Sequence, residues 1–190
     1  HKPDRRQRQM CIRDRNSSGS RIVIGAVWND GTTGNNNDNR GHVRVYDRDA
    51  SNTTVAPIGW TKVGGDIDGE STYDKSGTSV AINSSGTRIA IGAIGNDGTT
   101  GDSNDDRGHV RVYDRDASNT TVAPIGWTKV GGDIDGESTY DKSGTSVAIN
   151  SSGTRIAIGA IGNDGTTGDS NDDRGHVRVY DRDASNTTVA

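Results

Sequence analysis

Two stretches of this chain concentrate carboxylates at spacings that suggest cation chemistry. One reads GDIDGESTYD and occurs twice, supplying Asp66, Asp68, Glu70 and Asp74, and again Asp133, Asp135, Glu137 and Asp141. The other reads GNDGTTGDSNDDRG and carries Asp97, Asp102, Asp105 and Asp106. Calcium takes about six to eight oxygen ligands at a flexible turn, with carboxylates at alternating positions and glycine where the backbone bends sharply. DIDGESTYD places its acids at positions 1, 3, 5 and 9, with glycine at 4. The eight residues Asp66 to Asp74 and Asp133 to Asp141 named above are therefore candidate calcium ligands. A solvated polar turn has the same composition, and spacing alone leaves both readings open.

No other pattern points to catalysis. His42, His109 and His176 recur in one G-H-V-R-V-Y setting. A histidine copied in every repeat is expected to be structural, because a catalytic histidine is normally unique in its pocket. The sequence has no nucleophile elbow, zinc spacing or phosphate loop, so a non-enzyme is expected. The N-T-T sequons at Asn52, Asn119 and Asn186 matter only in a eukaryotic source.

The carboxylates need elements to position them, and a repeat supplies these. SSGS at Ser17 and SSGT at Ser84 and Ser151 stand 67 residues apart. Residues 84–123 equal 151–190, and 45–83 equal 112–150. This frames a first repeat at 17–83, a second at 84–150 and a partial third at 151–190. Each repeat holds four short strand candidates of period two, separated by Gly, Asn, Asp and Ser. In the full copy they are RIAIGA (Arg88 to Ala93), HVRVYD (His109 to Asp114), WTKVG (Trp127 to Gly131) and SGTSVAIN (Ser143 to Asn150). Ala90 and Gly92, like Ser146 and Ala148, give RIAIGA and SGTSVAIN a small second face, suited to inner strands packed on both sides. His109, Arg111 and Tyr113 suit an outer strand whose polar heads reach water. The expectation is an all-β fold of tandem four-stranded antiparallel meanders with RIAIGA central, forming an incomplete β-propeller. The end sheets of such a fragment should expose apolar faces.

Residues 1–15 match nothing in the repeats. The string RRQRQMCIRDR (Arg5 to Arg15) resembles one translated frame of a transposon-library sequencing adapter, so 1–15 are expected to be an artefact, disordered and packed on nothing. The reading frame is then expected to be cut at both ends and to come from environmental DNA. Of the 22 basic and 26 acidic residues, six and two lie in 1–15, leaving 16 and 24 and a net charge of −8 rather than −4. That field opposes nucleic acid and anionic membranes. The only cysteine, Cys11, lies in the same segment, so disulfides contribute nothing to the repeats. No apolar run approaches the roughly 18 residues of a membrane span.

SGTSVAI (Ser143 to Ile149), RIAIGAIGNDG (Arg88 to Gly98) and GHVRVYD (Gly108 to Asp114) together resemble the FG-GAP repeats of integrin α-like β-propellers and of bacterial surface proteins. The resemblance covers 17–190. It implies an extracellular or cell-surface adhesion or binding scaffold, stabilised by calcium, with a protein or glycan ligand. Ser76 and Ser143 replace the phenylalanine of that pattern, and Val27, Ile94 and Ile161 replace its proline. The place of the family's calcium loop is held by NSSGT (Asn83 to Thr87, Asn150 to Thr154), which has no carboxylate. A purely structural surface array, and a propeller appended to an enzyme outside this segment, remain as alternatives.

Overall fold

The structure is a computed structural model that describes residues 11–31, 35, 37–98, 104–165, 172 and 174–183. The described residues contain thirteen strands and no helix, arranged as three antiparallel sheets, none closed into a barrel. The first sheet runs β1 (Cys11–Arg15), β2 (Arg21–Ala26), β3 (His42–Arg48) and β4 (Trp60–Lys62), with β5 (Ile67–Asp68) also pairing β3. The second repeats this with β6 (Ser76–Ile82), β7 (Arg88–Ala93), β8 (His109–Arg115), β9 (Trp127–Lys129) and β10 (Ile134–Asp135). The third comprises β11 (Ser143–Ile149), β12 (Arg155–Ala160) and β13 (His176–Asp181).

RIAIGA is central, as its small second face requires: β7 is hydrogen-bonded to β6 on one side and β8 on the other. Each sheet opens on the strand before NSSG, so the sequence frame beginning at Ser17, Ser84 and Ser151 cuts between the first and second strands. The ID pairs of the acidic stretch lie outside the four strand candidates of each repeat. They form two-residue strands, setting Asp68 opposite His42 and Asp135 opposite His109.

Register decides which side chains share a core. Ile89 pairs Tyr113 and Ile91 pairs Arg111, so the isoleucines share their face with the polar series of β8 and look toward the first sheet. Ala90 pairs Val112 and Gly92 pairs Val110, and that face looks toward the third sheet. One core joins Val23, Val43 and Val45 to Val80, Ile82, Ile89 and Ile91. The next joins Ala90, Val110 and Val112 to Ile156 and Ile158. Burying each such aliphatic side chain is worth about 1.5–3 kcal/mol, and β7, from Arg88 to Ala93, is buried along its whole length. For the same reason His109, Arg111 and Tyr113 do not reach water. They are at most 3% exposed, because the first sheet lies over them.

The sheets approach most closely at glycine. A Cβ on Gly25 would lie 2.1 Å from the Gly77 carbonyl oxygen, and one on Gly92 would lie 2.1 Å from that of Gly144. Polar latches with the repeat period cross the seams. Trp127 Nε1 donates to Val63 O at 3.1 Å. Arg88 holds Asp114 with two hydrogen bonds of 2.6 and 2.7 Å and donates a third to Gly153 O at 2.7 Å. Where no sheet follows, the apolar face is bare: Val177 and Val179 are 68% and 61% exposed.

The expectation for residues 1–15 is corrected for 11–15, while 1–10 lie outside the described residues. Cys11–Arg15 is a strand in full register with Ala26 to Ile22. It takes the place that Val80 to Ile82 hold in the second sheet, since Arg15 pairs Ile22 as Ile82 pairs Ile89. The unpaired edge of β2 is a template for any extended segment. Arg13 and Arg15 share a face with Ile24 and Ile22, where no sheet stacks, and both are exposed. Asp14 looks the other way and accepts a 2.9 Å hydrogen bond from Ile82 N.

Candidate metal and ligand site at the sheet seam

The NSSGT turns are closed by a side-chain amide. Asn83 Oδ1 accepts from Thr87 N at 2.9 Å and Arg88 N at 3.0 Å, and Gly86 takes the left-handed conformation (φ 75°) that closes the turn. A side-chain amide oxygen thus satisfies two backbone donors of the turn.

The four acids of each DIDGESTYD segment take different environments. Asp66 is gripped by Arg44 through two 2.9 Å hydrogen bonds and by Lys62 at 3.1 Å. The Arg44 guanidinium, against a smaller opposing effect of burial, pushes its carboxyl down to about 2. Asp133, its counterpart, is held by Lys129 at 3.1 and 3.3 Å. Asp74 turns inward, 1% exposed, accepting from Glu70 N at 2.7 Å, Ser71 N at 2.9 Å and Asn96 Nδ2 at 3.1 Å. Burial raises its carboxyl and those three donors oppose the rise. Asp141 is built in the same way on Glu137 N, Ser138 N and Asn163 Nδ2. Asp74 and Asp141 therefore fold the turn, with Tyr73 and Lys75 beside Asp74 at φ 67° and 55°.

Asp68 and Asp135 continue the outer edge of the sheet beside a histidine. His42 Nδ1 lies 3.9 Å from Asp68 Oδ1, and His109 Nδ1 lies 3.9 Å from Asp135 Oδ1. Burial first, then Asp133, raises the Asp135 carboxyl. Glu70 and Glu137 reach across the seam to the next sheet. Arg111 binds Glu70 Oε1 at 3.2 Å and donates to Asp68 O at 2.9 Å. Arg178 does the same with Glu137 at 3.3 Å and Asp135 O at 2.8 Å. Arg44 has no sheet before it among the described residues and binds Asp66 of its own sheet.

The acids of one loop thus do not come together as a single nest. The ligand atoms that converge belong to two sheets: among the described residues, one group of three or more His, Cys, Asp or Glu lies within 4.8 Å of one another, and it is Glu70, His109 and Asp133. His109 is 1% exposed. Its pKa falls to about 4, mainly from burial and then from Arg111, so it is neutral at pH 7 and offers a lone pair. At the next seam His176 Nδ1 stands 3.7 Å from Glu137 Oε2.

Beside this cluster the seam opens into a groove of about 680 Å³. Asp66, Asp68 and Glu70 of the first sheet form one wall, and Val122, Pro124 and Lys129 of the second form another. Of the other acidic stretch, Asp102 lies outside the described residues. Asp105 is buried and paired with Arg107 at 2.7 Å, so it helps to fold its own loop.

No family model matches the sequence, and no curated protein matches it. Among solved structures, the hydrazine synthase of Kuenenia stuttgartiensis aligns over 90% of this chain at 11% identity, with a TM-score of 0.47. The chain spans 44% of that chain.

The sequence brought the carboxylates into view and left out the histidine. The available signal was its phase: His109 stands as far after Gly69–Glu70 of one repeat as His176 stands after Gly136–Glu137 of the next. Which repeat's acids it meets depends on stacking, and no spacing along the chain states that.

Proposed function

We propose that the chain is a non-catalytic binding scaffold, a segment of an FG-GAP-like β-propeller array displayed outside the cell, and that it receives a protein or glycan ligand at its sheet seams. The observation that carries this reading is the seam groove of about 680 Å³. It joins acidic loops from one sheet to an apolar and basic wall from the next, whereas the equivalent wall of the first sheet, around Arg44, Val55, Pro57 and Lys62, lines a hollow of about 580 Å³ without such acidic loops. Pockets at such junctions, with a few polar groups on an apolar lining, are common ligand sites. Val122, 67% exposed, sits on its rim. The sequence patterning and the resemblance to surface propellers support the same reading. The stacked four-stranded meanders, with small-residue inner strands, support the propeller part of it.

Screening the labelled chain against an array of extracellular glycans and matrix peptides tests the proposal. Binding to a subset of these, lost in Val122→Asp with Lys129→Glu, is the expected result. No binding, or equal binding by the variant, would leave a purely structural surface array. That alternative draws its own support from the identity of the loops in successive repeats.

A further inference from the structure

We propose that Glu70, His109 and Asp133 form an intersheet site for a divalent transition cation of the zinc class, which clamps one repeat to the next. Their ligand atoms lie within 4.8 Å of one another. Three ligands about 2.0–2.2 Å from a single ion stand roughly 3.3–3.8 Å from one another, so closure by about 1–1.5 Å completes the set. Glu70 comes from the loop after β5, whereas His109 begins β8 and Asp133 precedes β10. An ion held by all three would therefore cross-link two sheets.

Two buried side-chain atoms at this seam stand unpaired. Nε2 of His109 and Oδ1 of Asp135 are both enclosed, and neither has a hydrogen-bond partner among the described residues. A buried polar atom left unpaired costs about 1–3 kcal/mol. The donor chemistry selects the metal. Calcium and magnesium take oxygen ligands, whereas a neutral imidazole with carboxylates suits zinc, cobalt, nickel or manganese. The site is therefore distinct in chemistry from an all-oxygen calcium loop.

Every charged group facing His109 bears on the outcome. Glu70, Asp133 and Asp135 are negative, and Arg111 and Lys129 are positive, which leaves an excess of negative charge around the neutral imidazole. Glu70 and Asp133 are paired with Arg111 and Lys129 at 3.2 and 3.1 Å. Their side chains are 43% and 27% exposed, so both can swing to an ion.

The test is titration of the 190-residue chain with zinc, cobalt and calcium chlorides in a Cys11→Ser background, which removes the sole thiol. Calorimetry gives affinity and stoichiometry, and the visible spectrum of bound cobalt reports nitrogen and oxygen ligation. One zinc per chain is expected, with calcium unable to displace it. Glu70→Gln with Asp133→Asn, both on exposed side chains, should weaken zinc by more than the roughly 10–100-fold that even an outer-shell change costs. His42→Ala, in the copy that lacks a preceding glutamate, should bind like the parent. No zinc binding, undiminished affinity in the double variant, or equal affinity for calcium would overturn the proposal. Zinc binding without glycan or peptide binding would overturn only the ligand reading above.

Discussion

Asp74 shows how one side chain can be legible as an acid and misleading as a ligand. Its carboxylate serves three donors, and its neighbours Tyr73 and Lys75 hold left-handed backbone conformations. Such conformations persist only where the surroundings enforce them. Asp74→Ala should therefore cost about 2–3 kcal/mol, because the donors lose their acceptor and the turn its anchor. Asp74→Asn, which keeps one acceptor oxygen, should cost less. Urea unfolding of the two variants checks the order, and equal losses would show that the carboxylate is not what holds the turn. The sequence displayed all eight carboxylates but ranked them equally. Their roles separate through partners far along the chain, such as Arg111 for Glu70. The histidines repeat, which fits a structural role and equally a site shared between neighbouring repeats.

At the scale of strands, alternation with period two was enough to find the meander, because each β7-like strand buries aliphatic residues on one face and small residues on the other. Gly92 carries the close approach between sheets. Gly92→Ala would set a Cβ 2.1 Å from the Gly144 carbonyl oxygen and should destabilise by about 1–3 kcal/mol or more. Gly159 holds the same place in the third sheet, where an added Cβ meets the Ser146 hydroxyl at 2.4 Å and no neighbouring sheet. A hydroxyl can rotate away, so Gly159→Ala should be nearly neutral. A matched pair of thermal melts decides this, and equal shifts would remove the intersheet argument. The edge strand β1 was not legible, since nothing in Cys11–Arg15 alternates like its counterparts. Its pairing arises from the open edge of β2. Deleting residues 1–15 should now lower stability by more than about 1 kcal/mol, well above an ordinary surface change. An unchanged unfolding midpoint would show that β1 adds nothing to the sheet.

For the molecule as a whole, composition implies dependence between repeats: a chain that is 28% hydrophobic has little to place in one central core. The structure distributes that content over two seams, as repeat architectures do. What composition cannot give is which face is left bare. The last sheet ends on Val177 and Val179, and the chain should self-associate through that face at high concentration. Val177→Lys with Val179→Lys should shift sedimentation toward monomer while leaving the circular dichroism spectrum unchanged. Association that persists in this variant would place the contact elsewhere.

The arginine that reaches back across each seam has a mechanical consequence. Each sheet passes the chain onward through the loop that carries Glu70 or Glu137, and Arg111 or Arg178 grips that same loop from the far side. A pull along the chain therefore loads these grips one after another, in series, before it can unzip strands within a sheet. The middle sheet is held at two seams and the outer two at one each. Under steady force in an optical trap, the outer sheets should let go first and the middle sheet last, in discrete steps. A single all-or-none rupture would mean that the seams are stronger than the sheets they join.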